Sequence, residues 1–271
     1  MTRPLLVVDG DSFAHRAYHA LPKKINRNAV VGFTNMIVRL WEQEQPRAVL
    51  VGWDTLEVPT YRHEAFAPYQ SGREFDAALL EQLAMLPQLC TALNFPVAKA
   101  PGYEADDFLA AAAAQEEARG GSVLVASGDR DAFQLVSNRT TVLHPVRGVS
   151  ELARIGPAEV RERYAVEPTQ VPDFIALRGD PSDKLPGAKG VGPKTAADLL
   201  RQYGSLEAML AEGRFSAQAD ELRLYRRIAA MDPAAPLPEI PDGEPDWEGG
   251  AELVRSWGLN QVGDRLATRT Q

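Results

Sequence analysis

Cysteine and long apolar runs are both scarce in this sequence of 271 residues. The single cysteine, Cys90, cannot form an internal disulfide and has no partner at the spacing of a zinc site. There is no apolar run of about 18 residues, the length that a membrane-spanning helix needs, and no leader sequence precedes the first apolar stretch. We therefore expect a soluble, cytoplasmic protein without membrane contact, in which Cys90 is a buried free thiol.

Positive charge is also in deficit, with 29 lysine and arginine residues against 37 acidic ones and a net charge of −8. Such a deficit argues at first against a nucleic-acid partner, because phosphate binding usually leaves a basic surface. The excess is local, however, since segment 232–252 holds seven acidic residues and no basic one. The rest of the chain carries a net charge of only −1, which is compatible with a nucleic-acid partner.

Apolar runs and helical patterns alternate in the first half of the chain. The runs at Leu5–Asp9, 49–53 and Val123–Ala126 are typical of buried parallel strands. Helical patterns separate and flank them, at 12–20, 31–44, 77–93 and 105–119. This alternation predicts an α/β protein with a doubly wound parallel sheet.

The second half of the chain has a wholly helical pattern. Five helices are predicted, at 157–164, 172–178, 193–203, 206–211 and 220–231. We therefore divide the chain into an α/β core at 1–156, a helical subdomain at 157–231 and a tail at 232–271. The tail begins as a proline-rich acidic loop and is predicted to end in one short helix at 251–258.

Acidic residues follow the predicted strands. Asp9, Asp54 and Asp129 each stand at the carboxyl end of a strand, the edge where open α/β sheets bind their ligands. Glu104 and Asp107 open a predicted helix, and their spacing favours the same helix face. Four further acids lie in the adjacent motifs: Asp106, Asp131, Asp180 and Asp183. Helix capping and turn chemistry explain any one of these acids alone.

Nine carboxylates at one edge would repel one another, and burial would raise their pKa values, unless cations neutralise them. Oxygen ligands without cysteine or histidine favour Mg²⁺ or Mn²⁺. Two such ions support phosphodiester hydrolysis without a side-chain nucleophile. The four histidines are scattered along the sequence, and no serine, histidine and aspartate triad can be recognised.

Seven short motifs follow one another along the chain: Val8-Asp9-Gly10, Trp53-Asp54, Tyr61-Arg62-His63-Glu64, Gly102-Tyr-Glu-Ala-Asp-Asp107, Gly128-Asp-Arg-Asp131, Gly179-Asp-Pro-Ser-Asp-Lys-Leu-Pro-Gly187 and Gly190-Val-Gly-Pro-Lys-Thr195. In this order they resemble the 5′-nuclease family, which includes the N-terminal domain of bacterial DNA polymerase I, phage 5′-exonucleases and flap endonucleases. The resemblance covers about residues 5–203 and implies a PIN-like core, a helix-three-turn-helix subdomain and cleavage of branched or 5′-ended DNA. Because no polymerase sequence follows, we expect a stand-alone, monomeric member.

The resemblance also implies roles for individual residues. The first metal ion would be surrounded by Asp9, Asp54, Glu104, Asp106 and Asp107. The second would be surrounded by Asp129, Asp131, Asp180 and Asp183. Arg16 and Arg73 match basic positions that contact the scissile region in relatives, and we expect them to be catalytic.

The glycine-rich stretch from Gly187 to Thr195 is close to a phosphate-binding P-loop, but Pro193 interrupts that pattern and no strand precedes it. An ordinary hairpin in which the proline starts a helix is one reading. The resemblance implies a helix-hairpin-helix that contacts duplex phosphates and holds a K⁺ ion at its carbonyls. The expected DNA contacts in the stretch are Gly187, Lys189, Gly190, Gly192, Lys194 and Thr195.

Two positions depart from the family pattern. Gln70 stands where relatives carry a lysine beside the scissile phosphate, and His15 stands where relatives carry an aromatic ring that stacks on a base. We predict that residues 55–75 form a gateway segment for a single strand, with Arg62 as a further DNA contact. An ordinary solvated basic loop is the alternative.

The resulting hypothesis is a structure-specific, metal-dependent 5′ nuclease acting on DNA in replication or repair. A DNA-bridging module of the same fold with little turnover is the alternative that Gln70 and His15 suggest. A PIN-type ribonuclease is a third reading, against which the hairpin and the nine acids argue.

Overall fold

The computed structural model describes residues 3–72, 74–147 and 151–269. A six-stranded sheet forms its centre, with the strand order β3-β2-β1-β4-β5-β6. The strands are β1 Leu5–Asp9, β2 Ala48–Gly52, β3 Val97–Ala98, β4 Val123–Ala126, β5 Thr140–Arg147 and β6 Glu151–Ile155. All neighbours pair in parallel except β5 and β6, which are antiparallel. The predicted α/β class with a parallel sheet is confirmed.

Twelve α-helices accompany the sheet in the described parts of the chain. They are α1 Gly10–Ala20, α2 Asn28–Glu44, α3 Tyr61–Ala65, α4 Ala77–Ala92, α5 Ala105–Ala118, α6 Pro157–Tyr164, α7 Val171–Arg178, α8 Pro193–Tyr203, α9 Leu206–Ala211, α10 Ala219–Ala229, α11 Trp247–Ser256 and α12 Asn260–Ala267. The helices predicted up to residue 231 are all present, with ends displaced by three residues or fewer. None of the helices described is both long and apolar enough to cross a bilayer.

Alternating side chains of β1 pack on opposite faces of the sheet, as a strand's period of two requires. Leu5 and Val7 belong to a core cluster that includes Phe108 of α5. Leu6 and Val8 belong to a second cluster that contains residues of α1, α2 and α4. Helices therefore cover both faces, which explains why the strand reads as a continuous apolar run.

The helices after residue 156 share a core with one face of the sheet. The cluster that contains Leu5 continues through Phe174 of α7, Leu200 of α8 and Ile228 of α10. Gly156 caps α6 with an extended backbone and marks the change from strand to helix. This continuous packing holds the helical subdomain against that face of the sheet.

The tail is an integral part of the fold. Its acidic loop is held by ion pairs from Arg47 to Asp242, at 2.5 Å, and from Arg3 to Glu244, at 3.1 Å. The last helix was predicted at 251–258, but α11 begins at Trp247 and α12 follows it. Both helices are amphipathic and place apolar residues in the cluster that contains α2 and α4.

Candidate active site

A cavity of about 1400 Å³ lies at the carboxyl ends of β1, β2 and β4, against helices α6 to α8. Eight of the nine predicted acids line it, together with Asp11 and four further acids. The eight predicted acids and Asp11, called the acidic set below, are Asp9, Asp11, Asp54, Glu104, Asp106, Asp129, Asp131, Asp180 and Asp183. The structure thus brings most of the predicted carboxylates together.

Asp9 shows how the fold positions these side chains. It is the last residue of β1 and the N-cap of α1, and its carboxylate accepts from the backbone N–H of Ser12 at 2.9 Å. Its second oxygen accepts from the hydroxyl of Ser127, after β4, at 2.7 Å. Asp54, after β2, accepts from the backbone N–H of Ala105 at 2.8 Å. Hydrogen bonds from neighbouring helices and loops therefore fix the orientation of the carboxylates that follow the strands.

The environment of the acidic set disfavours negative charge. Burial, with a smaller contribution from Asp54 and Asp129, raises the pKa of Asp9 to about 7. Burial and then the neighbouring Asp129 hold the pKa of Asp131 well above its usual range. Burial likewise raises the pKa of Asp106. A bound cation would relieve this cost, because it stabilises the ionised carboxylates.

The chemistry of these residues fits a hard divalent metal. The donors are carboxylate oxygens, and Oδ1 of Asp106 is buried without a hydrogen-bond partner among the described residues. However, no three acidic, histidine or cysteine side chains in the described ranges stand close enough to form a ligand cluster as they are. The acids share one cavity but are not preassembled around an ion.

Asp107 differs from the other predicted ligands because it does not line the cavity. Its side chain is fully buried, and its two oxygens accept from Arg62 at 2.8 and 2.9 Å. They also accept from the backbone N–H groups of Glu104 and Asp232, at 3.1 and 2.8 Å, and from the hydroxyl of Tyr61 at 3.2 Å. With every lone pair engaged by a donor, Asp107 is a structural anchor here, contrary to the sequence-based expectation of a ligand.

Arg62 also differs from the expectation of a DNA contact on the gateway segment. Only 1% of it is exposed, and its Nε donates to the carbonyl of Ile228 at 2.9 Å. The guanidinium forms ion pairs with Glu104, Asp106 and Asp107. These carboxylates engage its charge, although Arg62 borders the cavity, so its direct contact with DNA stays a prediction.

The gateway segment is attached to both groups of acids. Tyr69 donates from its hydroxyl to Glu104 at 2.8 Å, and burial raises the pKa of this tyrosine, so it keeps its proton. The amide of Gln70 donates to Tyr69 at 2.8 Å and to Asp183 at 3.1 Å. Arg73, the second predicted catalytic arginine, lies outside the described residues.

His15 and Arg16 of α1 occupy different surroundings. His15 lines the cavity and packs edge-on against Phe75, with ring centroids 5.4 Å apart. Arg16 is half-buried and donates to the carbonyl of Pro145 at 3.0 Å, and it is not among the residues that line the cavity. The predicted catalytic contact of Arg16 therefore stays a prediction.

The glycine-rich hairpin leads into α8, whose first turn borders the cavity. Gly187 is buried at a φ of 76°, and a Cβ there would come within 2.4 Å of the backbone nitrogen of Gly179, so the turn requires glycine. Pro193 occupies the first turn of α8, and Lys194 lines the cavity. The other predicted DNA contacts of the hairpin are exposed: Lys189, Gly190, Gly192 and Thr195.

Several basic residues that line the cavity are missing from the sequence-based prediction. Arg178 of α7 pairs with Asp180 at 3.1 Å, and its Nε is buried with no partner among the described residues. The basic residues other than Arg62 that line the cavity are Arg130, Arg163, Arg178, Lys194 and Arg201, of which the sequence predicts only Lys194 as a DNA contact. The positions of Arg130 and Arg178 beside the acidic motifs are a usable signal, whereas Arg163 and Arg201 depend on how the helices pack.

Family models match nearly the whole chain. The N-terminal resolvase-like domain of 5′-3′ exonucleases matches residues 4–165, and the C-terminal SAM fold of these enzymes matches residues 166–243. DNA polymerase I of Mycobacterium leprae is 45% identical over 218 residues, which cover 77% of this chain and 24% of that protein. The thermostable DNA polymerase I of Thermus thermophilus is 38% identical over 263 residues, covering 90% and 31%. The chain thus spans between about a quarter and a third of the length of these relatives.

Solved structures share the fold along the chain. The 5′-exonuclease of bacteriophage T5 with bound divalent zinc superposes with a TM-score of 0.73 at 18% identity and covers 98% of this chain and 99% of its own. A complex of the phage T5 flap endonuclease with DNA and metal ions has a TM-score of 0.70 at 18% identity and covers 98% of both. The catalytic core of Rad2 with a DNA substrate has a TM-score of 0.61 at 13% identity, covering 99% and 92%. These structures show the fold, and the family models show that the chain belongs to the 5′-3′ exonuclease family.

Proposed function

We propose that this protein is a structure-specific, divalent-metal-dependent 5′ nuclease that hydrolyses DNA phosphodiesters at 5′ ends, nicks or flaps. The observation that carries the proposal is the convergence of the acidic set in one cavity beside the glycine-rich hairpin. The setting is replication or repair in the cytoplasm, and the protein acts as a monomer.

In this proposal the acids hold two ions, Mg²⁺ or Mn²⁺. Asp9, Asp54, Glu104 and Asp106 surround one position, and the other is surrounded by Asp129, Asp131, Asp180 and Asp183. When bound, the two ions supply a metal-activated water and neutralise charge on the phosphate. Asp107 leaves the ligand set, because its oxygens are already occupied.

The protein's own side chains bind and orient the strand. The exposed hairpin with Lys189 and Lys194 holds duplex phosphates without reading sequence, and a K⁺ ion at the hairpin carbonyls would strengthen this contact. Arg178 projects a guanidinium into the cavity and stabilises charge on a phosphate there. His15 and Phe75 offer a ring surface on which a terminal base can stack.

A DNA-bridging module with little turnover is the second candidate. The observation that favours it is the neutral amide of Gln70 bound to Asp183, at the position where a cation would assist the reaction. Both candidates bind the same DNA, so turnover distinguishes them.

The test uses 5′-labelled flap, nicked and single-stranded DNA, with matched RNA, in Mg²⁺, Mn²⁺ or chelator. We expect cleavage of flap or nicked DNA in a divalent ion and none in chelator. Binding without cleavage in either ion would support the bridging module. Much faster cleavage of RNA than of DNA would indicate a ribonuclease of the same fold class.

A further inference from the structure

Arg62 is a buried cation at the centre of three carboxylates. It lies on α3 and is 1% exposed. Its two terminal nitrogens donate to Asp107 at 2.8 and 2.9 Å, and one of them also donates to Asp106 at 3.2 Å. Glu104 completes the group with an ion pair at 3.2 Å. Burying a guanidinium this completely is tolerated only when carboxylates pair with its charge and accept its hydrogen bonds.

Asp107 serves as the fixed end of this arrangement. It is fully buried, and its two oxygens meet the guanidinium in the bidentate geometry that is strongest for an arginine and a carboxylate. The backbone N–H groups of Glu104 and Asp232 donate to the same oxygens. Asp107 therefore cannot rotate without losing several bonds, and it holds Arg62 in one orientation.

Asp106 uses only one of its two carboxylate oxygens. Its Oδ2 accepts a hydrogen bond from Arg62, while its Oδ1 is buried without a hydrogen-bond partner among the described residues. Asp106 lines the cavity, as Glu104 does. The guanidinium thus holds one oxygen of Asp106 and leaves the other for a ligand in the cavity.

The same guanidinium reaches the helical subdomain. Its Nε donates to the carbonyl of Ile228 at 2.9 Å, and a terminal nitrogen donates to the carbonyl of Ala230 at 3.4 Å. These carbonyls lie at the carboxyl end of α10, where a cation also interacts favourably with the helix dipole. One side chain therefore connects the carboxylates near the sheet edge to the end of a helix in the second subdomain.

We propose that Arg62 is a positioning residue: Asp107 holds its guanidinium, and the guanidinium orients Asp106 and Glu104 for binding a divalent ion. The inference rests on the proposed function for the identity of the ion. It assigns Asp107 to the support of the site, as an outer partner that orients the ligands.

Manganese binding measured by calorimetry on the whole chain without DNA tests this assignment. Asp107→Asn and Arg62→Gln should bind as many Mn²⁺ ions as the unaltered protein, with affinity reduced about 10-fold or more, as loss of an outer partner typically produces. Arg62→Lys should lie between them and the unaltered protein, because an ammonium cannot bond in bidentate fashion. Asp106→Asn should bind fewer ions.

Two controls accompany these variants. Arg226→Gln removes an arginine of α10 that, like Arg62, pairs with a buried aspartate, here Asp173 at 2.5 Å, and it should bind Mn²⁺ normally. The double variant Arg62→Gln/Asp107→Asn should bind no more weakly than the weaker single variant, because both changes break one connection. Circular dichroism checks folding, and if Arg62→Gln does not fold, Arg62→Lys and Asp107→Asn decide the question.

Loss of an ion in Asp107→Asn, as in Asp106→Asn, would overturn the inference by making Asp107 a direct ligand. Normal affinity in both Asp107→Asn and Arg62→Lys would overturn it as well, while the proposed nuclease would stand. If the unaltered protein bound no Mn²⁺, the metal-dependent function itself would fail, and the inference would fail with it.

Discussion

The side-chain amide of Gln70 donates a hydrogen bond to the carboxylate of Asp183, with 3.1 Å between Nε2 and Oδ1. This bond joins the gateway segment to the turn after α7, which carries the cavity acids Asp180 and Asp183. Gln70 holds this position with a backbone φ of 47°, and its amide also donates to Tyr69. A neutral donor thus occupies a place from which a cation would face a bound phosphate.

Replacing Gln70 with lysine should raise the cleavage rate. An ammonium at this position adds electrostatic stabilisation of charge on the phosphate, for which about 10-fold in rate is a moderate expectation. The measurement is the single-turnover rate on a flap substrate at saturating protein. Gln70→Met, neutral and similar in length, is the control and should not accelerate the reaction. Equal rates for the lysine variant and the unaltered protein would mean that another base, such as Arg178, already supplies the charge.

Asp129→Asn should separate chemistry from binding. Asp129 lines the cavity, so loss of its charge should lower the cleavage rate by about 100-fold through weaker metal activation. The exposed hairpin should still hold duplex DNA, so fluorescence anisotropy in Ca²⁺ should give a nearly unchanged dissociation constant. Glu212→Gln, an exposed acid outside the cavity, is the control. A parallel loss of affinity and rate would contradict the assigned roles.

Divalent ions should stabilise the protein against heat. Binding at 100 times the dissociation constant adds about 2.7 kcal/mol to the free energy of unfolding. For a chain of this size that corresponds to a rise of about 5 °C or more in the melting temperature. Differential scanning fluorimetry in Mn²⁺ and in chelator measures the difference. Asp9→Asn should reduce the rise while keeping the helix cap, since asparagine also caps helices well. An equal rise in Asp9→Asn would remove Asp9 from the ligand set.

Trp247→Ala should destabilise the whole protein. Trp247 begins α11, is 8% exposed and packs against Trp41 of α2, with ring centroids 6.3 Å apart. Removing a buried tryptophan typically costs about 3 to 5 kcal/mol. Urea unfolding measures the loss, and Trp247→Phe should recover most of it. A loss below about 1 kcal/mol, within the usual range of surface substitutions, would mean that the tail packs only loosely.

The strands that could be predicted are those buried on both faces. β1, β2 and β4 read as continuous apolar runs because helices cover both sides of the sheet. β3 has only two residues, and β5 contains Pro145 and two threonines at its start, so neither resembles a buried strand. β6 lies half-exposed at the edge of the sheet, and its sequence also lacks the apolar run of a buried strand.

The acids of the cavity could be predicted because topology places the carboxyl ends of parallel strands together. The position of Asp107 outside the cavity could not be predicted. Glu104 is the N-cap of α5, and its backbone is extended rather than helical. The rule that residues three apart share a helix face therefore does not apply, and Asp107 turns back toward the backbone of Glu104. Arg62 looked like a solvated base, and only its tertiary burial shows otherwise.

Among the described residues that line the cavity, thirteen are acidic and six are basic. In the proposed function, a DNA backbone that approaches the cavity therefore meets a repulsive field, while the exposed Lys189 of the hairpin and Lys194 at the start of α8 attract it. In the proposed function, binding of the duplex and entry of the scissile strand would therefore be separate steps. The two lysines would hold the duplex first, and the strand would enter the cavity only where cations neutralise the acids that line it.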